Sequence, residues 1–388
     1  MKFSIILLGL LLALPCQVAA VEEKDLQTKI QPGYQPIDAE TEKGLWMELE
    51  EYEAAIRRSA LLIKDGPMND YVKSAACRVA SDYCGDLRIY LIRNPGFNAS
   101  MTANGVMQVW TGLLVRVSSE DELAAVLGHE LAHYTQLHTL ARFKKIRDNM
   151  STASFLDLGL MVVTGIPIAV GQLSAIANAM AFSREQEEEA DLLGVRFMSQ
   201  SGYDPRAAAR VWKTIVAEEK FAVAKRQGTS LFSSTHPESE TRIKTLESFV
   251  DENYPVSASI QADSQSHVDI LNQYYMLLME DQIDTNRFGR TEHMLKKHRE
   301  IGVDPALIHF FQGEMYRQRN ADGDLELARD AYQLSIETDK PFADAYRNLA
   351  YINLKQGNPA LAREEFRRYL DLKPDADDRA MVEFYLQE

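Results

Sequence analysis

The chain has 388 residues, enough for about two globular domains. Its formal net charge of −15 argues against a nucleic-acid-binding protein and against electrostatic docking on anionic lipid. Hydrophobic residues make up 46% of the sequence, an ordinary value for a globular protein.

Residues 1–20 are typical of a cleavable signal peptide. Lys2 precedes an apolar run from Phe3 to Leu14, and small residues lead to a cleavage site after Ala20. A membrane-spanning helix would need about 20 apolar residues, more than this run contains. We therefore expect an exported, periplasmic protein whose signal peptide is removed.

The cysteines agree with export. Cleavage after residue 20 removes Cys16 and leaves Cys77 and Cys84. Two cysteines that lie close together in the sequence of an exported protein predict a disulfide bond. The alternative is two reduced, buried cysteines.

The first half of the chain combines helical and strand patterns. Residues 40–80 have apolar side chains at helical spacing, and residues 86–93 alternate as in a β-strand. A second strand is predicted at 105–111. That strand could be a substrate-binding edge or an ordinary strand of the core.

The next segment is a helix with a metal-binding motif. Ser119 and Glu122 form a capping-box pattern at its start, and the helix is predicted to continue to about residue 149. His129 and His133 lie four residues apart, on one face of this helix, and can share a metal ion. Glu130 can then reach water at that metal. The pattern is typical of zinc peptidases; two surface histidines on an amphipathic helix are the alternative.

Two features follow the motif. His138 does not fit the spacing of a third ligand and is interpreted as structural. Residues 155–182 are the most apolar internal stretch, too short and too broken by glycine and proline for a membrane span. They are interpreted as a buried helical hairpin over the active site, or alternatively as a lid or a peripheral membrane contact.

A second helix, at about 183–194, carries the third candidate ligand. One of its faces holds Glu187, Ala190, Asp191 and Gly194, and the small residues allow close packing on another helix. Glu187 can then face the metal, and Asp191 can orient a ligand histidine. The alternative is a solvated acidic helix start.

Together these motifs resemble metallopeptidase family M48. The matching features are His129-Glu130-x-x-His133, the later Glu187-x-x-x-Asp191, the segment around Asn98-Ala99, and Thr235-His236-Pro237 with Arg242. The sequence does not predict the several membrane helices of other branches of that family. In this respect it resembles the exported, BepA-like branch. The resemblance covers roughly residues 40–250.

The resemblance implies one zinc ion per chain, bound by His129, His133 and Glu187. It implies that Glu130 is the catalytic base, that Asp191 supports a ligand, and that His236 lies near the metal. His236 could stabilise the oxyanion, or it could occupy the open zinc position as a latch. The implied substrates are unfolded or misassembled envelope proteins; the alternative is a zinc-stabilised chaperone or assembly factor with little proteolysis.

The C-terminal part is predicted to be helical throughout. Residues 252–266 are interpreted as a linker, and residues 343–376 match a tetratricopeptide unit, with a second, less regular unit before it. Such repeats bind peptides or partner proteins. The family resemblance implies that the partner here is the assembly machinery of the envelope. We therefore predict an α+β, mostly α fold: a gluzincin-like zincin domain at 21–251 and an all-α tetratricopeptide-repeat domain at 267–388.

Overall fold

The computed structural model describes residues 26–36, 41–64, 66–147, 181–221, 236, 240–254 and 264–387. The predicted signal peptide, nearly all of the apolar stretch 155–182 and most of the predicted linker lie outside these described residues. Within them, no helix combines the length and the apolar character needed to cross a membrane.

The described chain is mostly helical, with one small sheet near its start. The first half contains α1 Thr41–Arg58, β1 Leu62–Ile63, α2 Pro67–Ala80, a 3-10 helix at Ser81–Asp86, β2 Arg88–Ile92, β3 Ala99–Met101, β4 Val106–Trp110, α3 Thr111–Leu114, α4 Glu120–Thr135 and α5 His138–Arg147. The second half contains α6 Arg184–Gln200, α7 Ala207–Glu219, α8 Glu240–Asn253, α9 Ser264–Asp284, α10 Phe288–Ile301, α11 Pro305–Arg319, α12 Asp324–Ile336, α13 Ala343–Lys355, α14 Pro359–Leu372 and α15 Arg379–Gln387.

The sheet has the strand order β1-β2-β4-β3. β4 pairs in parallel with β2 and antiparallel with β3, and all five of its residues are buried. The strand predicted at 105–111 is therefore a central strand, and β1 and β3 are the edge strands. Gly105 makes the turn between β3 and β4 with φ +87°, where an added Cβ would lie 2.3 Å from the backbone oxygen of Asp86.

The predicted helices are shorter than their sequence patterns. The helical pattern at 40–80 is divided by β1 into α1 and α2, and the helix predicted to run to residue 149 breaks after Thr135. Leu137 adopts φ +56° at this break, so the chain turns before α5 begins.

The start of α4 differs from the predicted capping box. The Ser119 hydroxyl accepts a hydrogen bond from the Glu122 N–H, as expected, but the Glu122 carboxylate accepts from Ser118 rather than from Ser119. A complete box occurs instead at the start of α6, between Ser183 and Gln186.

One hydrophobic core connects the sheet, the helices around α4 and the C-terminal helices. Its buried side chains include Val109 and Leu127 in the first half, and Tyr275, Phe311 and Tyr332 beyond the predicted linker. A smaller cluster around Phe366 fills the C-terminal end. The apolar core therefore does not end at the boundary that the sequence predicts.

The helices from α11 to α14 pack in consecutive pairs. Gly313 of α11 faces the ring of Tyr332 in α12, where a Cβ would lie only 2.5 Å away, so this contact requires glycine. Tyr332 and its predicted counterpart Phe366 are both fully buried. The assignment of these pairs as tetratricopeptide units stays a prediction.

A disulfide bond joins Cys77 at the end of α2 to Cys84 in the 3-10 helix. The pair predicted from the sequence is thus bonded in the structure.

Candidate metal centre

Two glycines bring the motif helix α4 and the acidic helix α6 into direct backbone contact. A Cβ added to Gly194 would lie 3.0 Å from the backbone nitrogen of His129, and one added to Gly128 would lie 3.0 Å from the carbonyl oxygen of Gly194. Because no side chain separates the helices here, side chains from nearby positions on the two helices can reach the same point. The small residues predicted on this face of α6 have this function.

Four buried side chains converge at that point. The Nε2 of His129 lies 3.1 Å from the Nε2 of His133 and 3.1 Å from the Nδ1 of His236, and the latter lies 3.0 Å from Glu187 Oε1. Glu187 also approaches both motif histidines at 3.6 Å. The ligand atoms of these four residues all lie within 4.8 Å of one another.

The spacing of these atoms fits a metal ion. A tetrahedral zinc ion with bonds of about 2.0 Å would hold its ligand atoms about 3.3 Å apart. The separations of 3.0 to 3.6 Å around His129, His133, Glu187 and His236 lie close to that value. Three imidazoles and one carboxylate are donors that zinc prefers, so the residues present fit one zinc ion.

Glu130 is buried beside this group. Its Oε1 has no hydrogen-bond partner and lies 3.4 Å from the Nε2 of His236. Burial raises the pKa of Glu130 to about 8, against the opposing charge of His129 and a hydrogen bond from the backbone N–H of Met101. Such a carboxylate can exchange a proton near neutral pH.

Asp191 and Arg242 surround the ligands with compensating charge. Asp191 lies 3.0 Å from the Nδ1 of His129, which directs the other ring nitrogen toward the centre. Arg242 donates to both oxygens of Asp191, at 2.7 and 2.8 Å, and pairs with Glu187 at 2.7 Å. One guanidinium thus serves two buried carboxylates.

These contacts keep both acids ionised. Burial alone would raise the pKa of Glu187, but His236 and a hydrogen bond from His133 lower it strongly. Burial likewise opposes ionisation of Asp191, and Arg242 outweighs it, so the pKa of Asp191 is lowered. Burial lowers the pKa of His133, which favours the neutral imidazole that a metal requires.

Aromatic side chains enclose the histidines. Phe182 stacks on His133 with 3.8 Å between ring centroids. The guanidinium of Arg142 lies over the ring of Phe182, 3.9 Å from its centroid. Trp212 contacts the edge of His129 and lies under Arg242. These side chains limit the access of water to the ligands and hold their rings in place.

His138 and the neighbouring glutamates of α6 lie outside the four-residue group. The Nδ1 of His138 is 3.0 Å from the Nδ1 of His133, and its other nitrogen is 3.0 Å from Glu189. The sequence argument gave His138 a structural role without naming these contacts.

The sequence argument assigned no role to Arg242, Trp212 or Phe182. A signal for Arg242 exists, because two buried carboxylates on one helix face require a nearby cation and Arg242 follows His236 closely. For Trp212 and Phe182 we find no comparable signal, since their contacts depend on how distant helices pack.

Comparisons with known proteins agree with this geometry. Residues 64–250 match the family described as Peptidase family M48. The mitochondrial metalloendopeptidase OMA1 of Schizosaccharomyces pombe is 34% identical over 194 residues, which cover 48% of this chain and 54% of the relative. The beta-barrel assembly-enhancing protease of Escherichia coli is 26% identical over 223 residues, covering 55% of this chain and 45% of the relative.

The chain therefore spans only about half the length of the curated relatives it matches. The matched segment contains β2, β3, β4, α4, α6 and the four-residue group, and peptidases of this family use zinc. Over residues 64–250, just under half of its length, the chain therefore matches peptidase family M48.

Proposed function

We propose that this protein is an exported, zinc-dependent endopeptidase that cleaves unfolded or misassembled envelope proteins. The observation that carries the proposal is the buried group of His129, His133, Glu187 and His236 with Glu130 beside it. Export rests on the expected signal peptide and agrees with the Cys77–Cys84 disulfide. The substrate class rests on the similarity to a beta-barrel assembly-enhancing protease.

In this proposal His129, His133 and Glu187 hold the zinc ion, and Asp191 orients His129. Zinc, when bound, would supply the Lewis acidity that activates the scissile carbonyl and the attacking water. Glu130 takes a proton from that water and delivers it to the nitrogen of the leaving amine as the C–N bond breaks. Burial favours the protonated form of Glu130, which suits a carboxylate that must hold this proton briefly.

Strand β3 is the proposed binding site for an extended substrate. Its neighbours Asn98 and Thr102 bond to β4 through the Asn98 carbonyl and the Thr102 N–H, so Ala99 and Met101 turn their backbone groups toward the open edge. Met101 is already engaged, with Glu130 at its N–H and Thr139 at its carbonyl. Ala99 would therefore offer the pairing groups nearest to the catalytic carboxylate.

We propose that His236 is a latch rather than an oxyanion stabiliser. Its Nδ1 lies as close to His129 and Glu187 as the motif histidines lie to each other, which suits a fourth ligand. With His236 in that position, the open coordination site that catalysis needs would be closed. Substrate or a partner bound by the C-terminal helices would then have to displace it.

The experiment that tests the peptidase proposal is the variant Glu130→Gln. Zinc content should stay at one ion per chain because the ligands are unchanged, while cleavage of an unfolded protein such as casein should fall by at least about 100-fold, the usual contribution of a general base. Glu188→Gln, in the same acidic run but outside the four-residue group, is the matched control. Wild-type cleavage by Glu130→Gln would refute the assigned role.

A further inference from the structure

A small cavity lies where the peptidase domain meets the C-terminal helices, away from the metal centre. Arg116, which follows α3, and Glu218 and Glu219 of α7 line one side, and Arg287 and Arg290 at the start of α10 line the other. Its volume is about 20 Å³, which is room for a single species of roughly the size of a water molecule.

The guanidinium of Arg116 is already saturated. It forms a bidentate ion pair with Glu218 at 2.8 and 3.0 Å and donates to the carbonyls of Pro95 and Gly112 and to the side chain of Gln282. Both oxygens of Glu218 are used in this pair. Glu218 therefore neutralises Arg116, and its charge also acts on Arg287 without forming an ion pair with it.

Arg287 and Arg290 have no such partner. Among the described residues, neither guanidinium forms a hydrogen bond or an ion pair, and Glu219 does not pair with either one. Arg290 is only 5% exposed, and its Nε is buried without an acceptor. A buried guanidinium nitrogen without an acceptor is unfavourable, and three arginines face two glutamates here, so this arrangement favours an additional anion.

Two further features favour negative charge in the cavity. Burial and the positive charges of Arg290 and Arg116 lower the pKa of Arg287 against the opposing charge of Glu218, so an anion there would favour the charged form of Arg287. Helix α10 also begins at Phe288, and its preceding residue provides no side-chain cap, so the positive end of the helix dipole faces this region.

We propose that this cavity binds one small anion, held by Arg287 and Arg290 between α7 and α10. The anion would supply the missing counter-charge and so attach the first C-terminal helices to the peptidase domain. The site is separate from the zinc ligands and does not depend on the proposed proteolysis.

The test is a titration of the full-length protein with sodium chloride in gluconate buffer at constant ionic strength. Chloride-35 NMR line broadening should reveal a saturable site, and the melting temperature should rise over the same concentration range. Arg290→Gln and Arg287→Gln should each weaken binding about tenfold or more, the loss expected for charge-assisted contacts. Glu219→Gln should strengthen binding, because it removes the unpaired negative charge at the cavity.

Arg329→Gln, which alters an exposed arginine paired with Asp330, is the matched control and should bind as the wild type does. If Arg290→Gln does not fold, the half-buried Arg287 carries the test. A parallel titration with inorganic phosphate, which is too large for the cavity, should show no saturable binding at this site. Absence of saturable chloride binding to the wild type, or unchanged binding in Arg287→Gln, would overturn the proposal.

Discussion

Arg242 is the residue on which the charge balance of the metal centre depends. Glu187 and Asp191 are both almost fully buried, and Arg242 is bonded to each of them. A bidentate arginine fixes the direction of a carboxylate as well as its charge. The orientation of Glu187 toward the three histidines therefore depends on a residue some fifty positions later in the chain.

We predict that Arg242→Met weakens zinc binding and lowers the free energy of unfolding by about 3–5 kcal/mol, because two buried carboxylates lose their cation. Zinc content after dialysis and chemical denaturation measure the two effects. Arg210→Met, which removes a more exposed pair with Asp204, is the control and should cost no more than about 1 kcal/mol. Equal losses in the two variants would contradict the role given to Arg242.

His236 gives a second prediction at this scale. If it closes the metal centre, His236→Ala should raise the basal cleavage of unfolded protein several-fold while zinc remains bound, because three ligands stay in place. Cleavage rate and zinc content, measured on the same sample, test whether His236 closes the metal centre. A loss of activity would instead support stabilisation of the oxyanion, and unchanged activity would remove His236 from the mechanism.

The contact between α4 and α6 determines the relative position of the ligands. Gly128 and Gly194 touch backbone to backbone, so any side chain at either position must push the helices apart. A shift of about 1 Å is enough to disturb a preorganised metal site.

We predict that Gly194→Ala lowers the free energy of unfolding by about 1–3 kcal/mol through overpacking, and weakens zinc binding as well. Gly44→Ala is a matched control in α1, where the added methyl group meets nothing within 4 Å. That change should stabilise the protein slightly, by up to about 1 kcal/mol, because alanine favours a helix. Stabilisation by Gly194→Ala would show that the helices are not in contact there.

Local spacing was sufficient to predict the elements that carry the site, but not how they pair. His129, His133, Glu187 and Asp191 could be placed because residues four apart share a helix face wherever the helix lies. The edge position of β3 could not be identified from the sequence, since strand order depends on contacts between distant segments. The break at Leu137 and the pairing of Arg242 with Glu187 were missed for the same reason: each is decided by tertiary packing.

At the scale of the whole molecule, buried histidines join the C-terminal helices to the peptidase domain. His267 in α9 bonds to the carbonyl of Val117 and to Tyr71, and His298 in α10 bonds to the carbonyl of Val115 and to Tyr275. Both carbonyls belong to the turn that leads from α3 to α4. The turn before the metal-binding helix is thus held by residues of the C-terminal part.

This arrangement predicts a loss of stability in acid. Burial lowers the pKa of His267 and of His298 to about 4, so the unfolded chain binds more protons than the folded one between pH 4 and the ordinary value of about 6.5. Stability is then complete above pH 6.5 and falls as the pH decreases. At pH 5 the protonation of each histidine in the unfolded chain should lower the free energy of unfolding by about 2 kcal/mol.

Chemical denaturation at pH 7.5 and pH 5.0 measures the difference in the free energy of unfolding between the two pH values. Chelator-treated protein should be used at both values, so that loss of zinc does not contribute. His298→Gln should reduce the difference between the two pH values by about 2 kcal/mol relative to the wild type. An unchanged difference in this variant would contradict the low pKa of His298.

The continuous core has a consequence for how the protein can be divided. Because Tyr275, Phe311 and Tyr332 share one apolar interior with α4, a fragment that ends near residue 251 would expose the surfaces these side chains cover. The C-terminal helices are then not an exchangeable module, and grafting those of a relative onto the segment that carries the candidate metal centre would require redesign of the shared interior. Substitutions in the C-terminal helices and substitutions in the core of α4 should therefore not be independent in their effects on stability, because both act on one shared core.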